Sequence, residues 1–280
     1  GIFTNLSHDH LDYHQSFDEY IKAKKILFDH LKGNAFALIN ADDKRGKIMI
    51  QNTKSRIYKY GMKGSGDFTA KLLNNTFQGL ELNINGQNIW FQLIGSFNAY
   101  NILTAYAVAI ILGEDSQEIL IQLSQCKSAR GRFEYVSNDN NIMAIVDYAH
   151  TPDALLKTIE FLKFNYGHNI SLVFGCGGDR DQKKRSLMGK IANKNCKKIY
   201  VTDDNPRNED PKKIRREISK YIVKDKTFDI GNRKLAIKKA IYEADPNDII
   251  LIAGKGHEEE QIYKNKKIKI SDRKIINKFK

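Results

Sequence analysis

The order of apolar runs predicts an α/β protein whose second half is a doubly wound sheet. Two patterns carry that expectation. From Gly131 onward, short β-branched runs alternate with helical stretches, and three of those runs end in dense polar clusters. Before Gly131 the chain mixes strand and helix, then turns to alternation of apolar and polar residues, the mark of antiparallel hairpins.

In order, the first half predicts a strand from Ile2 to Leu6, a His-rich loop, a helix from Ser16 to Leu31 and a strand from Ala35 to Ile39. Hairpins follow between Ser55 and Leu93, where Leu80-Glu81-Leu82-Asn83-Ile84-Asn85 alternates up to a turn at Gly86. Helices are expected over Asn98 to Leu112 and Ser116 to Cys126. In the second half, strands at Ile142 to Val146, Ile170 to Phe174, Ile199 to Thr202 and Ile249 to Ala253 alternate with helices. Those helices are Pro152 to Phe164, Leu187 to Asn193, Pro211 to Ile222 and Leu235 to Ala244. The domain boundary falls near residue 130, giving domains of 1–130 and 131–280. Lys264 to Lys280 reads as a solvated edge strand and tail.

The polar clusters lie where an open parallel sheet binds ligands, beyond the carboxyl ends of its strands. They are Gly175-Cys176-Gly177-Gly178-Asp179-Arg180-Asp181, Asp203-Asp204-Asn205-Pro206-Arg207 and Gly254-Lys255-Gly256-His257-Glu258. Three such strands in one sheet would set Arg180, Arg207, Gly254 and Glu258 along one edge. Pro206 fixes its own φ and biases Asn205 toward an extended shape, so Arg207 is presented rigidly. An arginine fork suits a carboxylate, and Asp204 and Asn205 suit an ammonium or amide, as recognition of an amino acid requires. Alone, the segment fits a capped helix start better than a site; the recurrence of the pattern twice more weakens that reading. Gly254-Lys255-Gly256 has neither Walker spacing nor a Ser or Thr after Lys.

With 280 residues, 41% of them hydrophobic and 28% charged, the chain has room for two globular domains. The longest wholly apolar stretch, Ala105 to Leu112, is too short to span a bilayer, so no membrane insertion is expected. Cys126, Cys176 and Cys196 share no C-x-x-C spacing, which argues against a disulfide framework or zinc ribbon and fits a reducing cytoplasm. The net charge of +13 is spread along the chain with no aromatic-interleaved basic patch, so no nucleic-acid partner is expected. A basic surface also favours a polyanionic small molecule such as a nucleotide. The chain starts at Gly1 with no initiator Met, as a fragment or processed product would.

Ser7-His8-Asp9-His10-Leu11-Asp12-Tyr13-His14 offers imidazoles and carboxylates suited to a metal or phosphate, or simply a polar helix start. In the helix that follows, Phe17, Tyr20, Ile21, Leu27, Phe28 and Leu31 form one stripe with Lys24 in its middle. An inward lysine must be paired, deprotonated or chemically modified, unless its stem snorkels past the core edge.

These segments, with Gly95-Ser96-Phe97-Asn98-Ala99-Tyr100-Asn101, Gly131-Arg132-Phe133-Glu134 and Asp147-Tyr148-Ala149-His150-Thr151-Pro152-Asp153, resemble the Mur ligase family from Thr4 to Arg273. The likeness is to its diaminopimelate-adding branch. It implies the latter part of a P-loop-type ATPase central domain, then a Rossmann-like C-terminal domain. It also implies an acyl-phosphate ligase that uses ATP and Mg2+ to add meso-2,6-diaminopimelate to a UDP-N-acetylmuramoyl dipeptide, acting as a monomer. By resemblance His10 and a carbamylated Lys24 serve the metal and catalysis. Asn98, Asn101, Arg132, Asp147 and His150 serve the nucleotide, and Arg180, Asp204, Asn205, Arg207, Gly254 and Glu258 the amino acid. The family's P-loop, its UDP-binding domain and an upstream magnesium-binding glutamate are not among these residues, so the fragment is expected to be inactive alone. Two other readings compete: a folylpolyglutamate synthetase-like ligase, and a metal-dependent hydrolase using His8, His10 and His14.

Overall fold

The computed structural model describes residues 1–7, 13–14, 16–64, 66–137, 143–167 and 169–278. Residues 1–7 and 13–128 form one compact unit, and residues from 129 onward form another. Among the described residues no helix is long and apolar enough to cross a membrane.

The first unit is built on a six-stranded sheet in the order β1 (Ile2–Phe3), β2 (Phe36–Asn40), β3 (Arg56–Gly61), β4 (Phe68–Thr76), β5 (Gly79–Ile84) and β6 (Gln87–Phe91). Helices α3 (Ser96–Ile111) and α4 (Ser116–Ser124) cover one face, where Ile102, Leu103 and Tyr106 meet Leu80, Leu82 and Phe91. Helices α1 (Phe17–Asp29) and α2 (Gly46–Met49) belong to a second cluster, in which Tyr20, Phe28 and Met49 join Phe3 and Ile39. The predicted hairpins are only half right. β3 runs parallel to both β2 and β4, and the antiparallel pairing is confined to β4, β5 and β6. Alternation reports one solvated face and is silent on strand direction.

The inward lysine also needs correction: Lys24 is exposed. At about 100° per residue it does lie between Tyr20 and Phe28. The helix, however, is rolled so that Phe28 is buried and Ile21 half-buried, which carries Leu27 out to 56% exposure and Lys24 to the rim. Lys24 Nζ rests 5.5 Å from the Tyr20 ring centroid, and Lys25 pairs with Asp29.

The second unit holds a six-stranded sheet in the order β11-β10-β9-β12-β8-β7. In chain order these are β7 (Glu134–Ser137), β8 (Met143–Asp147), β9 (Ile170–Phe174), β10 (Lys198–Val201), β11 (Thr227–Asp229) and β12 (Ile249–Ala253). All neighbours are parallel except β7 with β8. Helices α5 (Pro152–Tyr166), α6 (Lys183–Asn195) and α7 (Pro211–Ser219) are packed side by side, α5 touching β9 and α7 touching β10. Helices α8 (Arg233–Tyr242) and α9 (Asp272–Asn277) share a core with Val146, Val173, Ile250 and Ile252. A hairpin of β13 (Glu260–Tyr263) and β14 (Lys266–Lys269) precedes α9. So the basic end is a hairpin and a docked helix, with Ile275 and Ile276 buried.

A strand covered on both faces needs an unbroken apolar run, and Ile249 to Ala253 supplies it, every residue buried. Replacing fully buried Leu251 by Ala should therefore destabilise the second unit by about 2–5 kcal/mol, read as a lower urea midpoint at unchanged m-value.

Candidate functional site

The sheet order sets β9 between β10 and β12, so the three polar loops leave neighbouring parallel strands at one edge. Two glycines let these loops approach. A Cβ on Gly178 would fall 1.9 Å from the Pro206 carbonyl oxygen, and one on Gly175 2.1 Å from that of Thr202. The Gly178 amide donates to the Asn205 carbonyl at 2.9 Å.

Buried cations hold the loops further. Fully buried Arg185 on α6 donates to Glu209 at 2.8 and 2.9 Å, to Glu217 at 2.7 Å and to the Gly177 carbonyl at 3.2 Å. Glu209 also accepts the Asp179 amide at 2.6 Å. Arg215 on α7 bridges Asp203 and Asp229. The β13–β14 hairpin backs the Asp-Asn-Pro-Arg loop: Gln261 donates to the Asp203 carbonyl and Tyr263 to the Asp203 carboxylate, both at 2.8 Å. Arg207 donates its amide to the Ile262 carbonyl at 3.0 Å.

On this frame Asn205, Arg207, Gly254 and Glu258 come together. Asn205 is buried, its Nδ2 donating to Glu258 Oε2 at 2.9 Å. Its Oδ1 accepts from Lys255 Nζ at 3.0 Å and from the Ile262 amide at 3.1 Å. Lys255 Nζ also reaches Glu258 Oε2 at 2.8 Å. Burial pushes the Glu258 carboxyl up, but Lys255, Asn205 and Arg207 together hold it below the usual glutamate range. Arg207 is half-buried at φ +50°, its Nη1 on the Gly178 carbonyl at 2.8 Å and the Asn205 carbonyl at 3.4 Å. Gly254, at φ +110°, lies where a Cβ would meet Asp204 Oδ2 at 2.8 Å. Arg180 stays exposed on the neighbouring loop, with Nη1 3.4 Å from the Asp179 carbonyl.

The five residues read as nucleotide-facing divide between the units. In the first, Asn98 Nδ2 donates to the Ile94 carbonyl at 2.7 Å and Asn101 Nδ2 to Asn98 Oδ1 at 2.9 Å, both within the first two turns of α3. In the second, the Arg132 guanidinium lies 4.3 Å over the Tyr148 ring, and His150 Nδ1 is 2.8 Å from the Tyr148 carbonyl. Asp147 is buried, with Oδ1 on the Phe133 amide and Oδ2 on Thr158 Oγ1, each at 2.9 Å. Its carboxylate is thus engaged in fixing the Gly131–Phe133 turn. His8 and His10 lie outside the described residues, and the His14 ring is stacked on Tyr20 at 4.9 Å. Among the described residues no cluster of three His, Cys, Asp or Glu side chains could hold a metal ion. The three cysteines are free; Cys176 and Cys196 are buried, which pushes each thiol up to about 12.

Lys255, Arg185, Arg215 and Tyr148 were not among the sequence-predicted site residues. Arg185 sits in Lys183-Lys184-Arg185-Ser186, ahead of the helix start expected at Leu187; α6 begins four residues earlier, at Lys183.

Family models match over both units. The Mur ligase middle domain matches residues 1–109 and the Mur ligase glutamate ligase domain residues 131–256. The chain belongs to the Mur ligase family. A UDP-N-acetylmuramoyl-L-alanyl-D-glutamate–2,6-diaminopimelate ligase of Cytophaga hutchinsonii is 50% identical over 283 residues, covering 100% of this chain and 58% of the relative. One of the same name from Phocaeicola vulgatus is 44% identical, covering 99% of this chain and 58% of its own length. The chain thus spans less than two thirds of the relatives it matches. A solved structure of a ligase of that name is 34% identical at a TM-score of 0.59, over 98% of this chain and 58% of that one. A pseudomurein peptide ligase from Methanothermus fervidus shares the fold at a TM-score of 0.74 and 22% identity, over 100% of this chain and 63% of that one.

The clamp around Glu209 has a pH signature. Arg185 and the Asp179 amide hold its carboxyl below the ordinary glutamate value, against the opposing effect of burial. A depressed carboxyl adds stability above its unfolded pKa of about 4.3, and that stability is lost as pH falls through the lower folded value. Glu209→Gln should therefore destabilise at pH 7 and flatten the acid limb, measured by urea unfolding between pH 7 and pH 3.

Proposed function

We propose that the natural protein containing this chain is an ATP-dependent ligase joining meso-2,6-diaminopimelate to UDP-N-acetylmuramoyl-L-alanyl-D-glutamate. The observation that supports this most is the cluster at the edge of the second sheet, where a fixed carboxylate, Glu258, stands beside a half-buried guanidinium, Arg207. Names borne by relatives at 44–50% identity point to the same pair of substrates.

In this reading ATP phosphorylates the peptide carboxylate, the incoming amine attacks the acyl phosphate, and phosphate leaves. The chain's own groups bind and orient the amino acid. Glu258 and Asp204 take an ammonium, while the Arg207 fork takes the distal carboxylate that lysine lacks. Asn205 supports Glu258 directly, and Arg180 supplies a second cation beside the same edge. Asn98 and Asn101 on the first unit, and Arg132 and His150 on the second, are the nucleotide-facing side chains. Asp147 acts through the Gly131–Phe133 turn that presents Arg132.

A magnesium ion belongs to this reading, yet the described donors do not make a site for it: Lys24 as an ammonium is no ligand, and His10 is outside the described residues. No step is therefore routed through the metal. Lys24 is open to solvent, so its amine is accessible to carbon dioxide. Attack by the neutral nitrogen on that carbon, with loss of a proton, gives a carbamate whose oxygens would suit magnesium.

Two measurements test the reading. In the natural protein, Arg207→Ala should raise the KM for diaminopimelate by about a hundredfold while moving that for ATP little, because the site loses the partner of a buried carboxylate. Equal use of lysine and diaminopimelate by the wild type would overturn it. Lys24→Ala should abolish turnover, with partial recovery on adding a short carboxylate; an unmodified amine at Lys24 in a magnesium-bound crystal structure would count against carbamylation.

A further inference from the structure

A lysine between two glycines invites a phosphate-binding role, but the position of Lys255 assigns it another. Its side chain is fully buried, at the foot of the loop that follows β12. Gly254 and Gly256, at φ +110° and +52°, turn the backbone on either side of it. A Cβ on Gly256 would meet the Gly131 carbonyl oxygen at 2.5 Å, so the loop has little room to shift. The ammonium is bonded to Asn205 Oδ1 and Glu258 Oε2. No part of it faces solvent, where a nucleotide phosphate would arrive.

The bonds fix two neighbours at once. Asn205 Oδ1 takes two donors, Lys255 Nζ and the Ile262 amide, which leaves its Nδ2 to face Glu258. Glu258 Oε2 then takes two donors, Lys255 Nζ and Asn205 Nδ2. Among the described residues its Oε1 has only a long contact of 3.5 Å from the Tyr148 hydroxyl, and the side chain keeps 32% of its surface exposed. We infer that Lys255 is a positioning residue: it locks Glu258 by Oε2, so that Oε1 is held ready for the ammonium of the incoming amino acid. The inference rests on the diaminopimelate reading above and assigns a partner that sequence reasoning left out.

The charged groups around Glu258 come from every neighbouring element. Lys255 lies on its own loop, Arg207 on the loop after β10, Arg233 at the start of α8, and the Tyr148 hydroxyl on the loop after β8. Asp204 acts on the same Tyr148 and Arg233, Arg132 acts on Tyr148, and the His257 and His150 rings lie 5.6 and 4.7 Å from Tyr148. Histidine is the residue type among these that changes charge between pH 5 and 7, so a background carrying both His150→Asn and His257→Asn serves as control.

The test is calorimetric binding of meso-diaminopimelate to the natural protein at pH 7 and pH 5. Wild type should hold its affinity across that range, since Glu258 stays ionised. Lys255→Met removes the cation but leaves the burial, so the carboxyl rises and takes up a proton; affinity should fall about tenfold at pH 7 and further at pH 5. Lys255→Arg keeps the charge and should restore the flat pH response even if it shifts the affinity. Nucleotide binding should change little in either variant. The inference is overturned if Lys255→Met has the same ratio of affinities at the two pH values as wild type. Should Lys255→Met fail to fold, loss of affinity on going to pH 5 in the His150→Asn, His257→Asn background with Lys255 intact overturns it by itself. A wild type that binds no diaminopimelate at pH 7 would instead sink the reading of the site.

Discussion

Everything at the edge of the second sheet depends on buried cations replacing a hydrogen-bond ladder that the loops have left behind. A strand in mid-sheet has its backbone satisfied by neighbours; a loop beyond the carboxyl end has no such partner. Here Arg185 joins the loop after β9 to Glu209 beyond β10, Arg215 anchors Asp203 at the end of β10, and Lys255 ties the loop after β12 to Asn205. Arg233 does the same behind them, donating to Asp272 at 2.8 Å and to the Ala253 carbonyl at 3.0 Å. Each bond crosses from one loop or helix to another. Removing one partner would strand a buried charge, which is far worse than never having built the pair. Each clamp thus guards a different crossing between the loops that frame the site.

That rigidity lets the loops carry unusual backbone. Asp179 and Arg207 sit at φ +52° and +50°, a region that costs a side-chain-bearing residue about 1 kcal/mol or more. Both positions are tied on either side. The Asp179 amide bonds to Glu209 and its carboxylate to the Asn208 amide and side chain, while Arg207 is bridged to the hairpin strand at Tyr263. The left-handed turn at Arg207 is what sends its guanidinium back across Gly178 instead of out to solvent. Strain at that residue is offset by the network behind it.

Much of this was legible in the sequence, for identifiable reasons. A strand buried on both faces reads as a short, largely apolar run without alternation, so Ile170 to Phe174 and Ile249 to Ala253 could be placed to the residue. Pro-containing turns and glycine clusters marked where those runs end, and so which loops share an edge. What stayed hidden were partnerships. Nothing in Lys183-Lys184-Arg185 distinguishes the exposed lysine from the fully buried arginine, because the distinction is made by Glu209 and Glu217, more than twenty residues away. Helical periodicity placed Lys24 correctly around the axis of α1 but could not give the roll of that helix against the sheet, which decides exposure.

The hairpin of β13 and β14 shows how a segment with a solvated composition can still be part of a site. Its outer strand, Lys266 to Lys269, is exposed throughout and carries the charge expected of an unpaired edge. Its inner strand does different work: Gln261 is buried against the Asp203 carbonyl, the Ile262 amide bonds Asn205, and the Ile262 carbonyl takes the Arg207 amide. With the Tyr263 hydroxyl on the Asp203 carboxylate, three successive residues of β13 reach the Asp-Asn-Pro-Arg loop, which Gly178 also contacts through the Asn205 carbonyl. A loop held by several unrelated elements has less freedom to relax toward a smaller ligand when one contact is lost. The selectivity proposed for Arg207 then comes as much from the backing behind the loop as from the guanidinium at its tip.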